Sequence, residues 1–357
     1  MNVEIIDLYH TLWTEVLQKL RHDVYHLPEY VATEAERTKT IPEAILISDG
    51  DKIFFLPYLI RSCDDILSEK FTIQEIFDTL SPYGYSGILL SRAAVNTPEF
   101  PQKAIDELKH VLRQKNVCAA FFRLHPILSD RLSALCQADI TPNGETVSVD
   151  LTLSESQIWA HTRKGHQSTI NKCKRLGLTG RIVNFGQYIN EFIAIYEETM
   201  NRVKAKQSYY FSRQYFENLL KLGDRIHLGI VESDNEIVCA SLFFECCGIV
   251  QAHLGGTKTE FLRHSPFNLL LDYVRYWAKA RGNEFMHLGG GVGGSTTDSL
   301  YTFKSGFSRQ RHQFLTLRLI TDEEKYHDLV NWRAEVLNVK VDELLNSSFF
   351  PAYRFLE

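Results

Sequence analysis

Residues 287–314 could bind phosphate, because they contain the densest group of glycines in the chain. Five of the 20 glycines lie within residues 289–294. A Walker loop carries a Lys-Ser or Lys-Thr pair directly after its last glycine, whereas Gly294 is followed by Ser295 and two threonines, and the next lysine is Lys304. The dinucleotide fingerprint is also excluded, since its first glycine closes a strand that opens a βαβ unit. The glycines instead predict a mobile segment, as a lid or a surface turn, in front of Lys304.

A basic segment offers a second way to bind phosphate. A helix is predicted over Ile158–Leu176, with Ser154 and Gly177 as its caps. Its basic or potentially basic side chains are Arg163, Lys164, His166, Lys172, Lys174 and Arg175. Guanidinium and ammonium groups bind phosphate oxygens strongly. The alternative is a solvated charged face.

The bulk composition is that of a globular protein with room for two domains. The chain has 357 residues, of which 44% are hydrophobic and 23% charged, and this length accommodates two domains of ordinary size. The formal net charge of −5 argues against a surface devoted to DNA or other nucleic acid, but it leaves room for a local basic patch.

The seven cysteines predict neither a disulfide framework nor a metal site, because their number is odd and no CxxC or Cys/His spacing occurs. Most lie in apolar runs, a pattern that fits the reducing cytoplasm. The N-terminus lacks the basic region of a signal peptide, and no run of about 18 apolar residues predicts a transmembrane helix. We therefore expect a cytoplasmic protein, with peripheral membrane contact left open.

The order of predicted elements indicates an α+β fold with two similar halves. In the second half, three strands follow one another within Ile226–Gly256, a helix begins at Pro266 behind Ser265 as N-cap, and another strand begins at Phe285. The first half repeats this order approximately, and a predicted turn at Thr141–Thr146 separates the halves. The expected domains are residues 1–145 and 146–320, followed by a C-terminal segment, 321–357, that packs back on the first domain.

Four short strings along the chain are similar to those of one protein family. They are "SPYGYSGILLS" at Ser81–Ser91, "FFRLHPIL" at Phe121–Leu128, "RKGHQSTINKCKRLG" at Arg163–Gly177 and "LYTFKSGF" at Leu300–Phe307. Together and in this order they resemble the FemAB-like transferases of the GNAT superfamily, a group that includes BioF2-like domains. The resemblance implies two GNAT-like domains in tandem, each a mixed, mainly antiparallel sheet flanked by helices, without the long helical arm of many members. It also implies transfer of an acyl or aminoacyl group to a primary amine.

The resemblance assigns a role to Phe303 and Lys304. These residues match a Phe-Lys pair in the family's active-site cleft, where the lysine helps to stabilise the reacting group. Acyl transfer requires positive charge where the oxyanion develops, and the glycine segment would deliver the pair to the cleft. The alternative is a solvated surface lysine.

Several residues of the first half could bind the acceptor. Tyr83 and Tyr85 lie on a glycine-containing turn, where their rings could line an acceptor groove. Arg123 could clamp an anion with two hydrogen bonds, and His125 follows it at the end of the same predicted strand. Buried side chains with local hydrogen bonds are the alternative.

Two acidic residues are candidates for the general base. Glu245 lies near the end of a central strand, where simpler GNAT enzymes often have such a group, and we expect burial to raise its pKa. Asp298 precedes Phe303 and Lys304 by a few residues. Either carboxylate could instead be structural. His166 taken alone is expected to be a local hydrogen-bonding partner.

The donor is predicted from the residues before the helix at Pro266. GNAT enzymes that use acyl-CoA hold its pyrophosphate on a Q/R-x-x-G-x-G/A loop at a helix N-terminus. The corresponding residues, Arg263–Asn268, lack both glycines, and Pro266 has no N–H to donate. The sequence therefore favours aminoacyl-tRNA over acyl-CoA as co-substrate, and predicts no bound cofactor and no metal.

Three functions are compatible with these residues. The first is FemAB-like transfer of an aminoacyl group from tRNA to an amine of a cell-envelope precursor, a peptide or an amino sugar; the family's founding members act on a peptidoglycan precursor. The second is acyl-CoA-dependent acylation of an amino sugar or amino acid of a surface polymer. The third is a catalytically inactive module that binds an envelope precursor or a peptide.

Overall fold

A computed structural model describes residues 1–66, 75–129, 139–291 and 297–355. Its internal contacts divide the chain into two compact units: unit 1 comprises Met1–Asn143 and Phe314–Glu357, and unit 2 comprises Gly144–Gln313. The expected boundaries at residues 145 and 320 lie near these divisions. The centre of the glycine run, residues 292–296, lies outside the described residues, and with it most of the segment that the sequence predicts to be mobile.

The regular elements of the described residues are numbered in chain order. The strands are β1 (Asn2–Ile6), β2 (Ile41–Asp49), β3 (Lys52–Ser62), β4 (Phe77–Leu80), β5 (Leu89–Leu90), β6 (Val117–Arg123), β7 (Ile140–Asp150), β8 (Thr179–Val183), β9 (Ile226–Ser233), β10 (Glu236–Cys246), β11 (Ile249–Thr257), β12 (Phe285–Gly289) and β13 (Gln310–Ile320). The α-helices are α1 (Thr11–Lys19), α2 (Pro28–Thr38), α3 (Arg92–Val95), α4 (Glu99–Gln114), α5 (Glu155–His161), α6 (Lys164–Arg175), α7 (Ile189–Arg202), α8 (Arg213–Leu219), α9 (Pro266–Ala280), α10 (Ser299–Ser305), α11 (Glu323–Leu337) and α12 (Val341–Leu345).

The sheets of the two units share one strand order. Unit 1 has the order β1-β2-β3-β4-β6-β13, with β5 also paired to β3, and unit 2 has the order β8-β9-β10-β11-β12-β7. One adjacent pair in each sheet is parallel, β4 with β6 and β11 with β12, while the hairpins β2–β3 and β10–β11 are antiparallel. This confirms the predicted α+β fold with two similar, mainly antiparallel sheets. The strand that closes each sheet is distant in sequence from the strand it pairs with. In unit 2, β7 is the first element of the unit and pairs with β12, whereas in unit 1 the closing strand β13 comes from a second, later stretch of the chain.

Amphipathic helices cover the sheets because their apolar residues recur every three or four positions. On α4, Phe100, Ala104 and Leu108 are buried against the core of unit 1. On α9, Leu270 and Val274 are buried in the core of unit 2, which includes residues of β7, β10, β11 and β12. The sheet and its helices thus form a separate core in each unit.

Two predicted elements differ from the structure. The predicted turn at Thr141–Thr146 lies inside β7, where Gly144 takes a φ of 124°; the strand continues because its next residues pair with β12, which a local turn pattern does not reveal. The helix predicted over Ile158–Leu176 is two helices, α5 and α6. The break falls at Thr162 and Arg163, whose ψ angles of 132° and 138° are extended.

The helices of the described residues are of moderate length. The longest is α4, with 16 residues, and none among residues 1–66, 75–129, 139–291 and 297–355 is both long and apolar enough to cross a bilayer. The sequence Asp49-Gly50-Asp51 predicts a tight hairpin between two strands. The structure confirms it, since β2 and β3 pair antiparallel and Gly50 takes a φ of 60°.

Candidate active site

Lys304 lies on the short helix α10, beside the end of β12. Its Nζ donates a hydrogen bond to the carbonyl oxygen of Gly290 at 2.7 Å, and its side chain is half-buried. Burial lowers the pKa of Lys304 to about 8, although the charge of Asp298 acts in the opposite direction. The side chain is therefore mainly a cation at neutral pH, placed beside the carboxyl end of a central strand.

Gly290 and Gly291 allow the chain to pass close to its neighbours at this point. A Cβ at residue 290 would lie 2.9 Å from the carbonyl oxygen of Glu145, and one at residue 291 would lie 2.3 Å from Oδ2 of Asp298. Neither position has room for a side chain. Close packing against Glu145 and Asp298 therefore explains these two glycines of the run.

Asp298, one of the two candidate bases, caps α10. Its Oδ2 accepts a hydrogen bond from the backbone N–H of Tyr301 at 2.9 Å, as acidic residues commonly do at this position. The hydroxyl of Tyr301 in turn donates to Glu145 at 2.5 Å. This geometry favours a structural role for Asp298 that also brings its negative charge near Lys304.

Glu245, the other candidate base, lies near the end of β10 among three partners. Its carboxylate is within 3.0 Å of Nε of Arg281, 2.7 Å of Nδ2 of Asn283 and 2.9 Å of Nε2 of His227. Burial alone would raise the pKa of Glu245, but the hydrogen bonds from Arg281 and Asn283 outweigh it, and the pKa is lowered. The predicted upward shift is wrong, because the two groups whose hydrogen bonds lower the pKa, Arg281 and Asn283, follow α9 and are distant from Glu245 in the sequence. A carboxylate bonded in this way is a weak base.

Phe303 and His166 pack in an aromatic cluster. The Phe303 ring lies 5.4 Å from the rings of His166 and Phe307 and 6.1 Å from that of Phe267. His166 is only 8% exposed, and burial and the charge of Arg163 lower its pKa. A neutral, buried imidazole is a poor phosphate ligand, so the structure contradicts that role for His166 and supports local packing.

The basic side chains of α6 lie on its solvent-facing side. Lys164, Lys172 and Arg175 are exposed. Lys174 forms an ion pair with the buried Asp272 at 3.0 Å, so part of its charge is already neutralised. The predicted candidates other than His166 are accessible to a phosphate group.

A polar cluster in unit 2 was not predicted from the sequence. It consists of Ser148, Gln251, His287 and His312. His287 is the register partner of both Ser148 on β7 and Gln251 on β11, so these three side chains share one face of the sheet. His287 Nδ1 lies 2.7 Å from Gln251 Oε1, and Ser148 Oγ lies 2.7 Å from His312 Nε2.

The hydrogen bonds define the protonation of His287. Gln251 Nε2 donates to the carbonyl of Ala252 at 3.2 Å, so Oε1 is the atom that faces the imidazole and accepts its Nδ1–H. In the neutral ring Nε2 is then the basic nitrogen. Only His287 of the four residues lies in a repeated string, HLGG, which occurs at residues 253–256 and 287–290; no local pattern includes its partners Ser148, Gln251 and His312.

The parallel strands β11 and β12 form a fork. They pair over only three positions, the last being Gln251 with His287. Beyond this point β11 remains paired with β10 up to Thr257, and β12 remains paired with β7 up to Gly289. The polar cluster lies at the base of the fork, and the Lys304–Gly290 hydrogen bond lies past the end of β12.

In unit 1 the structure brings Tyr83 and Arg123 together at a cavity of about 100 Å³, which Glu34 and Arg37 also line. The Arg123 guanidinium lies over the Tyr83 ring at 5.8 Å. Glu34 is fully buried and pairs with Arg37 at 2.6 Å, and it accepts the backbone N–H of Tyr83 at 3.2 Å. Two guanidinium groups and an aromatic face therefore line one small cavity.

Tyr85 and His125 have other surroundings in unit 1. The Tyr85 ring packs edge-on against the ring of Tyr25 at 6.0 Å and that of His125 at 6.2 Å. His125 is fully buried; it donates from Nε2 to Asp23 at 2.9 Å, and its Nδ1 accepts the backbone N–H groups of Ile127 and Leu128. The predicted substrate-binding role of His125 is contradicted, because Asp23, distant in sequence, holds the ring in the interior.

The N-terminus of α9 offers few N–H groups to an anion. Pro266 is its first residue, and the N–H of Asn268 donates to the carbonyl of Ser265 at 3.1 Å. Ser265 occupies the N-cap position but takes a left-handed φ of 53°, and its side chain makes no capping hydrogen bond. The predicted N-cap position is confirmed, but the Ser265 hydroxyl is turned towards Leu262, whose carbonyl oxygen lies 3.4 Å away.

Comparisons with known proteins agree with this architecture. Residues 160–305 match the acetyltransferase (GNAT) domain family. The fold is similar to the crystal structure of FemX, with 11% identity, coverage of 91% of this chain and 99% of that one, and a TM-score of 0.70. No curated protein sequence matches the chain.

Two further solved structures share the fold. One is L-PGS from Bacillus licheniformis, with 17% identity, coverage of 87% and 92%, and a TM-score of 0.53. The other is the C-terminal domain of a putative lysylphosphatidylglycerol synthetase from Agrobacterium fabrum, with 14% identity, coverage of 85% and 90%, and a TM-score of 0.52. These likenesses concern the fold. They agree with the fold that the predicted resemblance implies, and the GNAT domain match over residues 160–305 supports the assignment as an acyltransferase.

Proposed function

We propose, on the premise that this chain is an acyltransferase and a FemX-like relative of the GNAT enzymes, that it transfers an aminoacyl group from aminoacyl-tRNA to a primary amine. The acceptor class is a cell-envelope precursor, a peptide or an amino sugar, and the proposed location is the cytoplasm, where aminoacyl-tRNA is available. The observation that carries the choice of donor is the N-terminus of α9.

A CoA pyrophosphate would find two N–H donors missing there. Pro266 has none, and that of Asn268 is bonded to Ser265. Each hydrogen bond to a charged group contributes about 1.5–3 kcal/mol. The loss of two such bonds would weaken CoA binding by about a hundredfold or more, since 1.4 kcal/mol corresponds to tenfold in affinity.

The exposed side chains of α6 provide another place for donor phosphates. Lys164, Lys172 and Arg175 face solvent along one helix, and such a row of charges suits a long polyanion better than a single pyrophosphate. We assign α6 to the tRNA backbone, although the overall charge of the chain is −5. A local basic strip of this kind supports a polynucleotide donor without requiring a basic protein.

Lys304 is the proposed electrostatic group. As a cation beside the fork of β11 and β12, it would stabilise the oxyanion that forms when the amine attacks the donor carbonyl. The N–C bond then forms while the C–O bond to the tRNA ribose breaks, and the ribose oxygen leaves with a proton.

The polar cluster is the proposed proton acceptor. The amine must lose a proton as it is acylated, and imidazole is well suited to accept one near neutral pH. We assign this step to His312, which is half-buried and held by Ser148, with His287 and Gln251 beneath it as positioning residues. Glu245 is less suited because Arg281 and Asn283 lower its pKa.

The cavity of unit 1 is the proposed acceptor subsite. Arg123 and Arg37 would bind a carboxylate or phosphate of the acceptor, and the Tyr83 ring would contact its apolar part. Tyr85 packs on Tyr25 and His125 and is not among the residues that line this cavity.

Titration of the intact protein with CoA and transfer assays with two donors test the proposal. We expect CoA to bind with a Kd in the millimolar range or weaker. We also expect aminoacyl-tRNA, but not acetyl-CoA, to acylate amine acceptors, as measured by the gain in acceptor mass. Micromolar CoA binding together with transfer from acetyl-CoA would identify acyl-CoA as the donor instead. Binding of an envelope precursor or peptide without transfer from either donor would instead indicate the inactive binding module.

A further inference from the structure

At Gly306, contact with one neighbouring side chain leaves no room for a Cβ atom. Its φ of −72° and ψ of −13° are allowed for any residue, so backbone conformation does not require glycine here. A Cβ at this position, however, would lie 2.1 Å from Cε1 of His166 and 2.4 Å from its Nδ1. The His166 ring therefore rests directly on the backbone that follows α10.

Further contacts join the same two segments. The backbone N–H of Arg163, at the start of α6, donates to the carbonyl of Gly306 at 2.7 Å. The Arg163 side chain reaches the Ser305 hydroxyl at 3.3 Å. The His166 ring packs on Phe303 and Phe307, at 5.4 and 4.7 Å between ring centres. The N-terminus of α6 thus holds the C-terminus of α10 through backbone, charge and ring contacts.

These contacts bear directly on Lys304. Phe303 precedes Lys304 and Gly306 follows it by two residues, and the N–H of Phe307 donates to the carbonyl of Lys304 at 3.1 Å. Because α10 has only seven residues, a shift at its C-terminus moves every side chain on it. The Lys304 Nζ lies 2.7 Å from the carbonyl oxygen of Gly290, and such a shift would lengthen or break this hydrogen bond.

We propose that the contact between His166 and Gly306 is the positioning contact that keeps the Lys304 ammonium at the Gly290 carbonyl. The helix α6, which carries the exposed basic side chains, then also positions the Lys304 ammonium. This inference rests on the proposed function for its catalytic meaning, while the contact itself can be tested without catalysis.

The charged and titratable groups around this end of α10 come from several elements. They are Asp298 and Tyr301 on or before α10, Glu145 on β7, Arg163 and His166 at the start of α6, and Arg311 on β13. Among these Asp298 raises the pKa of Lys304, whereas burial, the larger effect, lowers it to about 8. Displacement of Lys304 from its buried place should therefore return its pKa towards the ordinary value.

The test is a titration of Lys304 in the full-length protein, with isotopically methylated lysines observed by NMR and Lys304→Arg used to assign the signal. We expect a pKa near 8 in the unaltered protein, a clear rise in Gly306→Ala, and no change in Gly165→Ala. Gly165 is the matched control, since it lies on α6 one residue before His166 and has nothing within 4 Å of its would-be Cβ.

A double-mutant cycle links the effect to the ring. In a His166→Ala background the added methyl group meets no ring, so Gly306→Ala should cause little further change. If Gly306→Ala does not fold, His166→Ala alone carries the test, because it removes the contact without adding an atom. A folded Gly306→Ala or His166→Ala protein in which Lys304 titrates as in the unaltered protein overturns the proposal.

Kinetics separate this inference from the proposed function. With an active donor, loss of positioning should lower kcat while KM for the donor changes little, since ground-state binding is not altered. A protein that transfers nothing from any donor defeats the proposed function. The NMR titration still decides whether His166 and Gly306 position Lys304.

Discussion

Lys304 is a lysine whose charge can be lost within an accessible pH range. Burial lowers its pKa to about 8, so the cation predominates below that pH and is lost as the pH rises through it. Transfer should therefore fall on the alkaline side, and Lys304→Arg should retain charge there, because arginine stays protonated. The dependence of kcat/KM on pH checks this; an alkaline limb unchanged in a still active Lys304→Arg variant would contradict it.

Removal of the charge should have a large effect on rate and a small one on folding. We expect Lys304→Ala to lower kcat by about 10²–10³-fold, the usual range for one contact to a developing oxyanion. Thermal unfolding should change little, since the side chain lies at the end of a short helix and is only half-buried. A well-folded variant with full activity would remove Lys304 from the mechanism.

His312 supplies a further prediction for the reaction. His312→Gln keeps a hydrogen-bonding group for Ser148 but cannot accept a proton, so we expect kcat to fall by about 10²-fold or more. His327→Gln is the control, an exposed histidine on α11 in unit 1, and should leave kcat unchanged. A well-folded His312→Gln protein with full activity would place the proton acceptor elsewhere.

At the scale of single residues, short strings single out side chains but do not reveal what surrounds them. Lys304, Tyr83 and Arg123 were chosen in this way; the last two line one cavity, and the roles of all three stay predictions. His125 and Glu245 were misjudged, because their partners Asp23 and Arg281 are distant in sequence and determine burial and charge. No local pattern contains that information.

The helix α6 has two proposed roles, positioning of α10 and binding of the donor. Its N-terminus packs on α10, while its exposed basic side chains would hold donor phosphates. Charge reversal of Lys172 and Arg175 should raise KM for the donor far more than it lowers kcat, and the effect should shrink with added salt, which screens the attraction.

A matched control exists for this charge reversal. Lys221 and Arg225 are exposed residues of unit 2 outside α6, and their reversal changes the net charge by the same amount. We expect that pair to leave KM nearly unchanged at low salt. Equal effects of the two double variants would indicate general repulsion of the donor, and no effect of either would make α6 an ordinary solvated face.

Elements formed by neighbouring residues were predicted well. The hairpin at Gly50 and the helix beginning at Pro266 depend on local turn and cap preferences. The strand through Thr141–Thr146 was missed because its continuation, Val147–Asp150, pairs with β12, which lies over a hundred residues away in the sequence. Long-range pairing outweighed an Asn-Gly turn pattern there.

At the scale of the whole molecule, the end of the chain stabilises unit 1. Arg354 donates to the buried Asp78 at 2.6 Å and also bonds to Asp65 and the carbonyl of Ser62. Arg354→Ala should lower the free energy of unfolding by about 3 kcal/mol, the lower end for breaking a buried ion pair, since Arg61 still pairs with Asp78.

Urea unfolding monitored by circular dichroism measures this loss. The control is Arg92→Ala, which removes an exposed arginine from α3 in the same unit and should change the free energy of unfolding by about 0.5 kcal/mol or less. Equal midpoints for the two variants would show that the Arg354 contacts do not stabilise the unit.

The placement of β7 and β13 has a consequence for how the protein is made. On the ribosome, β6 emerges long before β13, the strand that pairs with it in the finished sheet. Until then its apolar sequence VCAAFFR presents an open edge, a template for pairing with other chains. Unit 2, a continuous stretch of sequence, can close its sheet first. We therefore expect nascent chains to depend on chaperones during the interval in which unit 2 is translated, and slow translation there to favour aggregation through β6.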